Sequence, residues 1–196
     1  MDNSPDRWAQ YYEYVAGRTV RDLLVTALER WCGPPGVALD LGCGDGTETL
    51  ALLEAGWTVH AMDASPEGIA RTTRLAVAHA DRLTTHLRRL EDFDPPDVDL
   101  LYSGWTLPFC HPDHFEALWA RLRAAVRPGG LLVVNLFGVR DDWTSQADMT
   151  FRTLQEAHDM AEGLTDLVLV ESEEDGQSFA GPKHWHELEI SGRREL

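Results

Sequence analysis

Residues 37–46, read V-A-L-D-L-G-C-G-D-G, constrain the fold of this chain more than any other stretch. A short apolar run reaches Asp40, and Gly42, Gly44 and Gly46 then fall at alternate positions. A run of that length suits a strand buried in a parallel sheet. Glycines after such a strand let backbone lie against a ligand where a Cβ would collide. Residues 47–55 then read as a helix, so strand, glycine turn and helix N-terminus together make a ligand cradle. The spacing is G-x-G-x-G, whereas the fingerprint that grips a dinucleotide pyrophosphate is G-x-G-x-x-G.

The rest of the chain alternates between two periods. Residues 7–31 carry apolar side chains at helical spacing, predicting two helices broken near Gly17. Further strands are expected at 57–62, 83–87, 98–102, 131–137, 164–171 and 183–193, with helices at 66–80, 112–126 and 152–161. Ser65 reads as an N-cap, with Pro66 at the first helical position and Glu67 in the first turn. Arg127-Pro128-Gly129-Gly130 reads as a helix stop, residues 138–150 as a polar loop and 173–182 as a turn. Strands alternating with helices imply an α/β fold, a single doubly wound, seven-stranded, mostly parallel sheet with helices on both faces. The final two strands lack an intervening helix, so the last runs antiparallel. Without repeats or linkers, the chain is read as one domain, residues 1–36 forming a helical lid on a core of residues 37–196.

Charge narrows the partners. Thirty-three acids against 17 Lys and Arg give a net charge of −16, and the basic residues are scattered. Nucleic-acid binders cluster basic groups against phosphates, and an acidic surface repels DNA, RNA and anionic membrane alike. Cys32, Cys43 and Cys110 are too few and too scattered for a disulfide framework. The polar start of the chain and the lack of a long apolar run predict neither secretion nor a membrane span. The expectation is a soluble, cytoplasmic monomer or homodimer that meets a small molecule, not nucleic acid or membrane.

In their order along the chain, these motifs resemble those of the class I S-adenosylmethionine (SAM)-dependent methyltransferases. Within that class the chain is similar to small bacterial members of unassigned substrate, the tellurite-resistance-like group. The resemblance rests on the 37–46 motif, Arg127-Pro128-Gly129-Gly130, the 103–110 stretch S-G-W-T-L-P-F-C, the 137–143 stretch F-G-V-R-D-D-W and the 183–186 stretch K-H-W-H. It implies SAM as cofactor and S-adenosylhomocysteine (SAH) as product. Asp40 would supply negative charge near the cofactor's cations, while Gly42, Gly44, Asp45 and Gly46 lie against its amino-acid end. Asp63 and Ala64 would meet the ribose, Glu91, Asp92 and Phe93 the adenine, and Ser103 the transferred methyl. Taken singly, Asp40 also reads as a turn cap and Asp63 as a helix N-cap.

The acceptor side carries a weaker signal. Methyl transfer from a sulfonium is an in-line displacement that chiefly needs positioning and exclusion of water. A base is required only when the nucleophile arrives protonated. His111, soon after the fourth strand, is the candidate base; it also reads as an exposed helix cap. Tyr11, Tyr12, Trp105, Phe109, Phe137, Arg140 and His184 are the candidate acceptor contacts. Aromatics of this kind suit a flat or apolar molecule and can also hold an amine. His184 and His186 share a strand face, but no third ligand has recognisable spacing, so no metal is expected. Three rival functions are a SAM-binding enzyme of other chemistry, a nicotinamide oxidoreductase and a non-catalytic SAM-binding module.

Overall fold

The structure is a computed structural model that describes residues 5–195. The first four residues of the expected lid lie outside the described residues. The parallel core is β1 (Val37–Leu41), β2 (Thr58–Asp63), β3 (Leu83–Leu87), β4 (Val98–Ser103) and β5 (Val126–Gly138). A two-residue β6 (Phe151–Arg152) and the hairpin strands β7 (Leu164–Ser178) and β8 (Gly181–Arg194) complete the sheet. The order is β3-β2-β1-β4-β5-β8-β7, with β6 pairing on β5, so the seven expected strands gain a short eighth. β8 runs antiparallel to both β5 and β7, and the remaining pairs are parallel.

Side chains alternate across this sheet with period two. Leu39, Leu41 and Leu101 face one core layer, which α5 (Pro112–Ala125) closes with Phe115, Leu118 and Leu122. Ala38, Val59 and Leu100 face the other layer, closed by Leu24 of α2 (Asp22–Arg30) and Leu52 and Leu53 of α3 (Thr47–Glu54). Helices on opposite faces are thus required by burial on both sides of the strands. α1 (Pro5–Tyr14) packs on α4 (Pro66–Leu75) at the carboxyl end of the sheet. The order in which strands are added switches between β1 and β4, which run parallel, and this opens the crevice where ligands bind in such sheets. No helix among the described residues is long and apolar enough to cross a membrane.

Several boundaries differ from expectation. α4 stops at Leu75, and a 3-10 turn (Val77–Arg82) with non-helical dihedrals at His79 replaces its expected last turn. The 138–150 loop contains the 3-10 turn Asp142–Ser145, followed directly by β6. α6 (Leu154–Met160) starts later than expected because Thr153 caps it, in a box with Glu156. The largest difference is the hairpin. β7 continues through the expected turn, pairing Glu171 with Leu188, Glu173 with His186 and Asp175 with His184. Its acids line a sheet edge, where charge discourages pairing with another chain.

Gly46 shows how tightly the glycine turn is fitted. Its φ is +87°, and an added Cβ would lie 2.7 Å from the Thr72 Cα on α4. Gly46→Ala is therefore expected to destabilise the fold by about 2–4 kcal/mol, from left-handed strain plus overpacking. Urea unfolding against wild type measures it.

Candidate functional site

The cradle forms where three strand ends meet. The Gly42 and Cys43 N–H groups both donate to the Met62 carbonyl, at 2.8 and 2.9 Å, which folds the glycine turn back over β2. Gly44 N–H then donates to the Asp63 carboxylate at 2.9 Å. The Ser65 N–H donates to Asp63 at 2.7 Å and the Tyr12 hydroxyl at 3.3 Å. Burial pushes the Asp63 carboxyl up, and these donors pull against that shift. A Cβ on Gly44 would sit 3.3 Å from the Tyr12 ring, so this turn leaves bare backbone beneath α1.

A cavity of about 530 Å³ opens above this turn, a size typical of small-molecule sites. Gly42, Gly44, Asp45, Asp63, Ala64 and Glu91 line it, as do Tyr11, Tyr12, Trp105, Phe109 and Phe137. The structure therefore brings eleven of the expected site residues together around one space. Asp45 accepts from the Thr47 hydroxyl at 3.0 Å and from Arg18 at 2.8 Å. Glu48, just inside α3, takes Arg18 and Arg21. Burial alone would raise its carboxyl, but the two arginines outweigh burial and hold it below its usual range.

The far end of the cavity is aromatic. Trp105 has a left-handed φ of 55°, a strained conformation for a bulky residue. Its N–H donates to Asn135 Oδ1 at 2.8 Å, and the Asn135 amide in turn donates to Glu187 at 3.3 Å. Burial raises the Glu187 carboxyl to about 7. Trp105 stacks on Trp185 at 5.2 Å, and Trp143 and Phe137 continue the wall. Phe109 meets Trp8 of α1 at 5.1 Å, and Phe179 in the hairpin turn meets Tyr11 at 6.1 Å.

Eight expected residues stand elsewhere. Asp40 is buried beneath α3, where it accepts from the Thr49 hydroxyl at 2.6 Å; burial, then Glu48, raises its carboxyl to about 7. It holds a helix rather than presenting charge to the cavity. Gly46 is packed against Thr72, Phe93 is in the core against His86, and Asp92 is exposed. Ser103 is fully buried with its hydroxyl unpartnered, and lies outside the cavity lining. His111 is the N-cap of α5, its Nδ1 accepting from Asp113 N–H at 3.2 Å, because Pro112 starts the helix there. Arg140 and His184 are spent on the acids of β7: Arg140 pairs with Glu171 and Glu173, and His184 with Asp175 and Glu173. Glu171, Glu173 and His186 place ligand-type atoms within 4.8 Å of one another, but the Arg140 guanidinium already bonds all three.

Arg7, Arg21, Arg88, Phe179 and Lys183 were missed as site neighbours. Only Lys183 carried a signal, as the single lysine of the chain, set beside Trp185.

Strand order and cradle together are those of the class I, Rossmann-like methyltransferase fold. Residues 38–130 match the family described as Methyltransferase domain. A carboxy-S-adenosyl-L-methionine synthase of Vibrio atlanticus is 31% identical over 125 residues, 60% of this chain and 51% of that protein. A trans-aconitate 2-methyltransferase of Methylobacterium radiotolerans is 38% identical over 109 residues, 52% of this chain and 38% of that protein. The chain spans about half the length of the curated relatives it matches. TehB from Haemophilus influenzae superposes with a TM-score of 0.78 at 16% identity, covering 96% of this chain and 67% of that one. A Burkholderia thailandensis 1,6-didemethyltoxoflavin-N1-methyltransferase gives 0.67 at 21%, covering 97% of this chain and 86% of that one.

The raised Asp40 carboxyl has a signed consequence. Its folded value exceeds its ordinary one, so the native state binds the extra proton and loses stability as pH rises from 3.8 to about 7. Asp40→Asn removes that titration. Urea midpoints should show the variant gaining on wild type across that window, with no further change above it.

Proposed function

We propose that this chain transfers the methyl group of SAM to a small-molecule acceptor. The observation that carries this reading is one continuous cavity with the glycine cradle and Asp63 at one end and an aromatic chamber at the other. Bound there, the cofactor supplies an electrophilic methyl on a sulfonium. Gly42 and Gly44 offer bare backbone to its amino-acid part, Asp63 accepts from the ribose, and Glu91 and Leu90 border the adenine. Trp105, Phe109 and Phe137 hold the acceptor near the methyl, and α1 acts as a lid that excludes water, whereas α2 packs on the sheet away from the cavity. These residues work by proximity and desolvation, without His111 as a base.

The relatives named for trans-aconitate methylation and the solved N1-methyltransferase with its bound small molecule support a small-molecule acceptor. The net charge of −16 supports the absence of nucleic-acid and membrane partners, and three free cysteines support a cytoplasmic location. Monomer and homodimer both suit this single-cavity design. A second reading is a SAM-binding enzyme whose chemistry leaves the methyl in place, favoured by the relatives named carboxy-S-adenosyl-L-methionine synthase.

Calorimetry with SAM and SAH tests the cofactor assignment. Wild type is expected to bind both, and Asp63→Ala to weaken binding by about tenfold or more, the loss typical of a charged hydrogen-bond acceptor. Unchanged affinity in Asp63→Ala would remove the assignment. SAH accumulating with an acceptor panel separates methyl transfer from the second reading. His111→Ala is expected to leave that rate unchanged.

A further inference from the structure

The rings that wall the acceptor chamber already face cations. The Lys183 ammonium lies 3.3 Å from the Trp185 ring centroid, 3.9 Å from Trp143 and 4.4 Å from Phe137. The guanidinium of Arg21 is 4.8 Å from the Trp105 ring and that of Arg7 is 5.7 Å from Phe179. A cation is drawn to the negative face of an aromatic ring. A ring polarised toward one cation attracts a second on its other face less, and the two charges repel. This wall is therefore a poor cage for an ammonium group, although its composition suits one.

The remaining charge points the same way. Lys183 is met by Asp141 at 2.6 Å and Arg21 by Glu48 at 3.2 Å, whereas Arg7 has no carboxylate partner among the described residues. The acids of the cavity are engaged: Asp45 by Arg18, Asp63 by Gly44 and Ser65, and Glu91 by Arg89 at 3.3 Å. No histidine among the described residues lines the space. Nothing in the chamber is free to take a proton from an incoming nucleophile.

Resting on the methyl-transfer reading, we propose that the acceptor is a flat molecule whose nucleophile is an anion at neutral pH, a thiolate, a carboxylate or an acidic phenolate. Its lone pair forms the bond to the methyl carbon as the carbon–sulfur bond breaks, and that electron pair stays on sulfur. No proton moves, and an anion and a sulfonium become two groups without those charges. The aromatic wall strips water from the anion, which raises its reactivity, while Arg7 and Arg21, which line the cavity, offset the repulsion of an acidic protein.

The test is binding to the SAH-loaded chain at mildly alkaline pH, read by tryptophan fluorescence. Benzoate and thiophenolate are compared with benzylammonium, a probe of matched ring and opposite charge. The anions are expected to bind at least tenfold tighter. Arg21→Gln and, on the outer helix where folding is least at risk, Arg7→Gln should each cut that preference at least threefold. Equal or tighter binding of benzylammonium, or no binding of either probe type to a protein that does bind SAH, overturns the proposal. A chain that fails to bind SAH refutes the methyl-transfer reading itself, and this proposal with it.

Discussion

Two backbone donors on one carbonyl organise the site. Because Gly42 and Cys43 both bond the Met62 oxygen, the chain leaving β1 must turn across the end of β2. That turn delivers Gly44 N–H to the Asp63 carboxylate and aims the start of α3 along the sheet. Left-handed dihedrals at Gly42, Gly44 and Gly46 are what this path requires, and only glycine adopts them without strain. The cavity, its acidic edge and the placing of α4 all follow from that local geometry.

A second layer of charge fastens the outer helices to this turn. Glu48 receives Arg18 and Arg21, residues of the segment between α1 and α2, and Arg18 also reaches Asp45. Removing one member would leave a buried charge unpaired, which costs more than the pair contributes. Arg21 then extends over Trp105, so the same guanidinium links the glycine turn to the aromatic wall. Trp105 is held against its backbone preference by Asn135 and the stacked Trp185. Strain of this kind persists only where neighbours over-determine a residue.

Much of this was legible in order. The apolar run into alternating glycines marked β1 and its turn, and the change of period marked the alternating α/β order and the closing hairpin. Legibility ended where side-chain direction decides. Asp40 lies two residues before the turn, yet strand alternation points it under α3 with Ala38. His111 follows β4 closely, but Pro112 fixes it as a cap. Arg140 and His184 were candidates for their place at strand ends, with residues 173–182 read as a turn. As a continuous strand, that stretch sets Glu171, Glu173 and Asp175 opposite them and consumes both. An acidic edge strand carries little apolar signal, so pairing within the sheet had to be seen to be known.

The aromatic wall leaves the folded chain chemically unusual at its surface. Lys183 is the only lysine among 196 residues and is 4% exposed, closed in by Asp141 and three rings. Acylating reagents, aldehydes and lysine-directed crosslinkers therefore find no accessible side-chain amine on the native protein. Any such adduct on Lys183 would record an opening of the wall, making that one side chain an intrinsic reporter of breathing in the aromatic chamber.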